Sequence, residues 1–123
     1  MNDLILEATD TAPAIHFQTN GDLLMNGESR PENVVKFFEP LMNWMDELKS
    51  LEPDHITLDF KLEYYNSSSA KFIMELLLRL NNFKNVLVKW HYDEMDEDLL
   101  ESGEEFEKLV NYSFEFIAIE DED

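Results

Sequence analysis

Hydrophobic and polar positions alternate with period two from Ile56 to Tyr64. Ile56, Leu58, Phe60, Leu62 and Tyr64 share one face and Thr57, Asp59, Lys61 and Glu63 the other, the pattern of a half-buried strand. The period then changes. From Ser67 to Leu80 no Gly or Pro intervenes, and Phe72, Ile73, Leu76, Leu77 and Leu80 recur at helical spacing, with Met74 and Leu78 widening the apolar arc. Ser67, Ser68 and Ser69 therefore collect at a helix N-terminus.

The rest of the chain reads the same way. Leu4 to Glu7 and Ala14 to Phe17 predict short strands, and Asn20-Gly21 predicts the hairpin turn into Leu23-Leu24-Met25. Ser29 and Glu32 have capping-box spacing with Pro31 in the first turn, which predicts a helix carried by Val34, Phe37, Phe38, Leu41, Met45 and Leu48 as far as Lys49, kinked at Pro40. Asn81 to Asn85 predicts a turn, and Val86, Val88, Trp90 and Tyr92 alternate as a further strand. The acidic loop Asp93 to Asp98 is placed to cap a helix reaching about Tyr112, weakened by Gly103, and Ser113 to Ile119 predicts the last strand. Hairpin, helix, strand, helix, strand, helix, strand implies an α/β fold. Its mixed β-sheet begins with an N-terminal hairpin and carries helices packed on it through right-handed crossovers. The serines fall at a strand's C-terminal end, where open α/β sheets place their sites.

Composition narrows the function. At 123 residues and 44% hydrophobic, one cored domain over 1–123 is expected, ending in an acidic tail at 120–123. Lys plus Arg number 9 against 28 Asp plus Glu, a net charge of -19 that argues against nucleic acid or an anionic membrane surface and favours basic protein partners. The absence of Cys excludes disulfides, thiolate catalysis and sulfur-ligated zinc. Met1-Asn2-Asp3-Leu4 lacks the basic region and apolar core of a signal peptide, and no run approaches transmembrane length, so a cytoplasmic protein is expected.

The serine cluster has two readings. Asn66 or one of the serines serves as helix N-cap, or the unpaired first amides and the helix dipole receive an anion such as a phosphate on a modified serine. His16, His55 and His91 show no ligand spacing, so neither a metal nor a cofactor is expected. His91, opposite in strand parity to Trp90 and Tyr92, is a candidate binding-surface residue near the serine edge. Asp59 has no second acid spaced to work with it. Exposed members among Tyr64, Tyr65 and Trp44 are candidates for an interaction patch.

Four blocks, taken together and in order, resemble the SiaC family of bacterial regulatory phosphoproteins. They are Thr11-Ala12-Pro13-Ala14-Ile15, then Gly27 to Asn33, then Leu58 to Lys71 with Asn66-Ser67-Ser68-Ser69 inside it, and Trp90-His91-Tyr92-Asp93. The resemblance implies a STAS-like fold, similar to the anti-sigma-factor antagonists, and a protein without catalytic activity of its own. It implies that the residue after the Asn, here Ser67, is phosphorylated by a dedicated Ser/Thr kinase and dephosphorylated by a PP2C-like phosphatase. It implies too that the unphosphorylated form binds an output protein such as a diguanylate cyclase. Ser68 and Ser69 are alternate acceptors and the expected caps; Tyr65, Asn66, Lys71 and His91 are the expected surroundings of the phosphosite and partner surface.

Rival readings use the same residues. A constitutive acidic adaptor needs no phosphorylation. Carrier proteins also bear a modified serine at a helix N-terminus, but they are helical bundles, against the period-two segments here. A serine nucleophile lacks both an activating His with its acid and a glycine-rich oxyanion loop.

Overall fold

The computed structural model describes residues 1–120; of the expected acidic tail, 121–123 lie outside the described residues. The chain runs β1 (Leu4–Leu6), β2 (Ala14–Phe17), β3 (Asp22–Ser29), α1 (Val34–Ser50), β4 (Ile56–Tyr65) and α2 (Ser67–Arg79), with a 3-10 turn at Leu80–Asn82. It continues through β5 (Val86–Asp93), α3 (Glu97–Lys108) and β6 (Ser113–Ile119). One six-stranded sheet holds the strands in sequence order, with β1, β2 and β3 antiparallel and β3 to β6 parallel. Successive right-handed crossovers in one direction put all three helices on the same face. Burial follows that geometry. Ile56, Leu58, Phe60 and Leu62 of β4 pack with Phe38, Leu41, Met45 and Leu48 of α1 and Ile73, Leu76 and Leu77 of α2, all within 1% of complete burial. Thr57, Asp59 and Lys61 lie on the other, open face and are half-buried.

Three expectations change. Ser29 does not cap a helix. It is the last residue of β3, paired with Tyr65 and fully buried, because the β3–β4 ladder continues to that point. The cap of α1 is Asn33, whose side chain accepts the Lys36 amide at 3.0 Å. Second, α3 stops at Lys108, not near Tyr112, because the chain must turn back into β6. The Glu107 carboxylate accepts the Phe114 amide at 2.7 Å, and Tyr112 leaves the helix to donate its hydroxyl to the Leu77 carbonyl at 2.7 Å. Third, Tyr64 is not on the buried face. The β3–β4 register slips between Gly27 and Glu28, so Glu63 is an extra residue on β4. Beyond that bulge the side-chain parity reverses. Tyr64 turns outward, 48% exposed, while Tyr65 turns in against Phe60 and Phe106, each ring centroid 6.3 Å away.

Two residues that break helix rules turn out to fit. Pro40 lies inside α1 on its exposed side, and the buried face continues past it through Leu41, Trp44, Met45 and Leu48. Gly103 is buried in α3 against Trp90. A methyl group there would sit 2.6 Å from the indole, whose N–H donates to the Leu99 carbonyl at 3.0 Å. What weakens α3 as an isolated helix lets it dock.

Candidate phosphorylation site

The junction of β4 and α2 is built on Asn66. Its amide donates to the Ser29 carbonyl at 3.0 Å, which ties the end of β4 to the end of β3. Its side-chain oxygen accepts the Ser69 amide at 2.9 Å and the Ser68 hydroxyl at 3.2 Å, while its carbonyl accepts the Ala70 amide at 2.9 Å. Asn66 is therefore the N-cap, and Ser68 and Ser69, the expected caps, are not. An Asn side chain reaches the third amide from an extended backbone, which is the geometry found here (φ -83°, ψ 174°).

The three serines meet three different environments. Ser69 is completely buried; its hydroxyl donates to the Ser29 carbonyl at 3.1 Å and lies 2.8 Å from the Ser29 hydroxyl. Since the Ser69 proton is committed to the carbonyl, the Ser29 hydroxyl is the donor of the second bond. Ser29 and Ser69 are the only fully buried polar residues among the described residues. Ser68 is exposed but engaged by Asn66. Ser67, the first residue of α2, is exposed, and its hydroxyl makes no hydrogen bond among the described residues. The first amides of the helix have no intrahelical acceptors and carry the positive end of its dipole.

The expected surroundings divide. Lys71, one turn along α2, is exposed and forms no ion pair among the described residues. Tyr65 is packed inward, so it supports the junction from within. Burial raises its phenol above the ordinary value; the Ser102 hydroxyl beside it pulls the other way, and the carboxylates of Asp96 and Glu105 add to the rise. Its hydroxyl makes no hydrogen bond of good geometry among the described residues. His91 lies on the open face of the sheet, where its Nε2 is 3.0 Å from Asp59 Oδ1, and no hydrogen bond joins it to the serines. The other histidines do not join it: His16 is exposed, and His55 pairs with Asp22 at 2.9 Å. Ser29 was not legible as part of this site because its spacing to Glu32 mimics a cap. The signal that identifies it is the length of the β3–β4 ladder. No group of three His, Cys, Asp or Glu among the described residues is arranged to hold a metal. No described helix is long and apolar enough to cross a membrane.

Residues 6–119 match the model of the SiaC family regulatory phosphoproteins. The chain belongs to the SiaC family. It is 32% identical to apo-SiaC from Pseudomonas aeruginosa, whose crystal structure superposes with a TM-score of 0.88 over 96% of this chain and 100% of that one. SiaC crystallised with the diguanylate cyclase SiaD, of which it is the activator, is 31% identical and superposes with a TM-score of 0.86 over 95% of this chain and all of that one. A protein from Pseudomonas aeruginosa strain UCBPP-PA14 is 33% identical over 119 residues, 93% of this chain and 94% of that protein. As a SiaC-family member the chain is a regulatory phosphoprotein and not a catalyst, with the mixed α/β fold of the SiaC structures.

Proposed function

We propose that this chain is a cytoplasmic, phosphorylation-controlled partner switch with Ser67 as its phosphoacceptor. A dedicated Ser/Thr kinase adds the phosphate and a PP2C-like phosphatase removes it. The unphosphorylated form binds an output protein, a diguanylate cyclase, as SiaC from Pseudomonas aeruginosa binds SiaD. The observation that carries the assignment to Ser67 is the sorting of the three hydroxyls: one buried, one held by Asn66, and one exposed and free at the helix N-terminus.

Phosphorylation adds about -1.5 to -2 charges and three acceptor oxygens. At Ser67 those oxygens lie within reach of the first amides of α2, and Lys71 supplies the nearest charge on the same helix face one turn on. The added bulk and charge act on a docked partner by steric and electrostatic exclusion. The test is incubation with the cognate kinase and ATP, followed by peptide mapping. One phosphate on Ser67 is expected, and a Ser67→Ala protein phosphorylated at the wild-type rate would overturn the assignment. Equal capture of the cyclase by Ser67→Ala and Ser67→Asp would favour a constitutive adaptor instead.

A further inference from the structure

β4 and β5 pair only as far as Phe60 and Trp90. Beyond that pair β4 stays with β3 up to Tyr65, and β5 stays with β6 up to Asp93. The two halves of the sheet therefore part at their C-terminal edge and open a cleft of about 570 Å³. Lys61, Glu63, His91, Asp93, Met95 and Asp96 are among its lining residues, with Ile119 at the edge of β6. The cleft shares the edge of the sheet from which Ser67 starts α2, and Glu63 is the bulged residue that reverses the chain's parity just before it.

The chemistry of the cleft is specific about charge. His91 is occupied by Asp59, which leaves one ammonium, Lys61, against the carboxylates of Glu63, Asp93 and Asp96. One oxygen of Asp93 takes the Met95 amide at 2.8 Å and one of Asp96 takes the Leu99 amide at 3.0 Å, so each keeps its second oxygen for an incoming donor. These carboxylates belong to a chain of net charge -19, which raises the local concentration of cations and repels anions. Beside them stand Met95, 77% exposed, and Ile119, 48% exposed. Met95 is the most exposed large hydrophobic side chain among the described residues, and an exposed Met is an adaptable contact surface. Carboxylates and exposed apolar side chains around one concavity match a partner segment with the opposite pattern.

We propose that this cleft is the docking site for a basic segment of the output protein, one that inserts an Arg or Lys side chain between Glu63, Asp93 and Asp96 and rests flanking apolar side chains on Met95 and Ile119. The proposal rests on the partner-switch reading above and adds the place and the chemistry of the contact. It also gives the phosphate a target: a segment leaving the cleft along this edge passes the start of α2. Charge selects a protein partner over a second copy, since self-association would set carboxylates against carboxylates in two chains of charge -19.

The test is calorimetric titration of the cognate diguanylate cyclase with the full chain and four variants, each first checked for native circular dichroism. Glu63→Lys and Met95→Asp are expected to weaken binding by about tenfold or more. Glu47→Lys, an equal charge change on the exposed side of α1, is expected to weaken it less than about threefold, since rim charges away from a contact act weakly. Ser67→Asp separates the two ideas. If it abolishes binding while Glu63→Lys and Met95→Asp bind like wild type, the cleft proposal is wrong and the switch stands. If the cleft variants weaken binding and Ser67→Asp does not, the cleft stands and the switch fails. Wild-type protein that binds no cyclase overturns both, whereas a dimer of this chain that Glu63→Lys dissociates in sedimentation overturns the cleft proposal alone, since it would make a second copy the occupant.

Discussion

Replacing Ser69 by Ala removes the acceptor of the Ser29 hydroxyl, and no other hydrogen-bond partner is in place for that buried donor. The Ser29 carbonyl keeps the Asn66 amide at 3.0 Å, so the damage falls on one stranded O–H. A buried polar group left unpaired costs about 1–3 kcal/mol. Ser29→Ala is milder, because the Ser69 hydroxyl still donates to the Ser29 backbone at 3.1 Å and loses only an incoming bond, worth about 0.5–1.5 kcal/mol. The double variant strands nothing: both hydroxyls leave together, and its cost should be no more than about 1 kcal/mol, as for apolar replacement of a matched pair. A double-mutant cycle from urea unfolding is therefore expected to show a coupling on the order of 1–3 kcal/mol, with the double variant more stable than Ser69→Ala alone. Additivity within about 0.5 kcal/mol would refute the claim that the Ser29 hydroxyl depends on Ser69 for its partner beneath the start of α2.

Gly103→Ala tests the docking of α3. The methyl gains about 1 kcal/mol of helix propensity, but its clash with Trp90 costs about 1–3 kcal/mol and displaces the indole bond to Leu99, worth about 1 kcal/mol more. A net loss of about 1–3 kcal/mol in urea unfolding followed by tryptophan fluorescence is expected; a more stable variant would show that the helix seat is not tight. High pH tests the buried phenols. Burial raises Tyr112 well above the ordinary tyrosine range and raises Tyr65 as well, so the folded state favours the neutral forms. That contribution is intact below about pH 10 and is lost as pH rises toward the folded values, at up to about 1.4 kcal/mol per pH unit for each group. Tyr112→Phe should flatten the decline, and absorbance titration of the folded protein in which all four tyrosines ionise together near pH 10 would contradict it.

Much of this architecture is legible in periodicity. β4 and α2 follow from the change of period at Asn66, and β2, β5 and β6 follow from alternation, because one face of each is buried and the other is not. Local rules failed where a long-range contact overrides them. Ser29 has the spacing of a cap, yet the ladder to Tyr65 draws it into a strand. Gly103 reads as a weak point, yet the flat face of Trp90 requires it. Tyr64 fits a period-two stripe, yet the bulge at Glu63 reverses the parity, and a bulge leaves no mark in hydrophobic alternation. The serine cluster was visible as a whole, but its division into cap-bound, buried and free hydroxyls depends on Asn66 and on Ser29, 40 residues from Ser69 in sequence.

In the switch proposed above, a single phosphate on Ser67 controls partner binding. The most direct measurement is the affinity of the cognate diguanylate cyclase for the chain before and after stoichiometric phosphorylation by its kinase. Charge and bulk added at a docking edge should weaken binding by at least about a hundredfold, with wild-type affinity restored by the phosphatase. Equal affinity of the two forms, with the phosphate mapped to Ser67, would contradict the account.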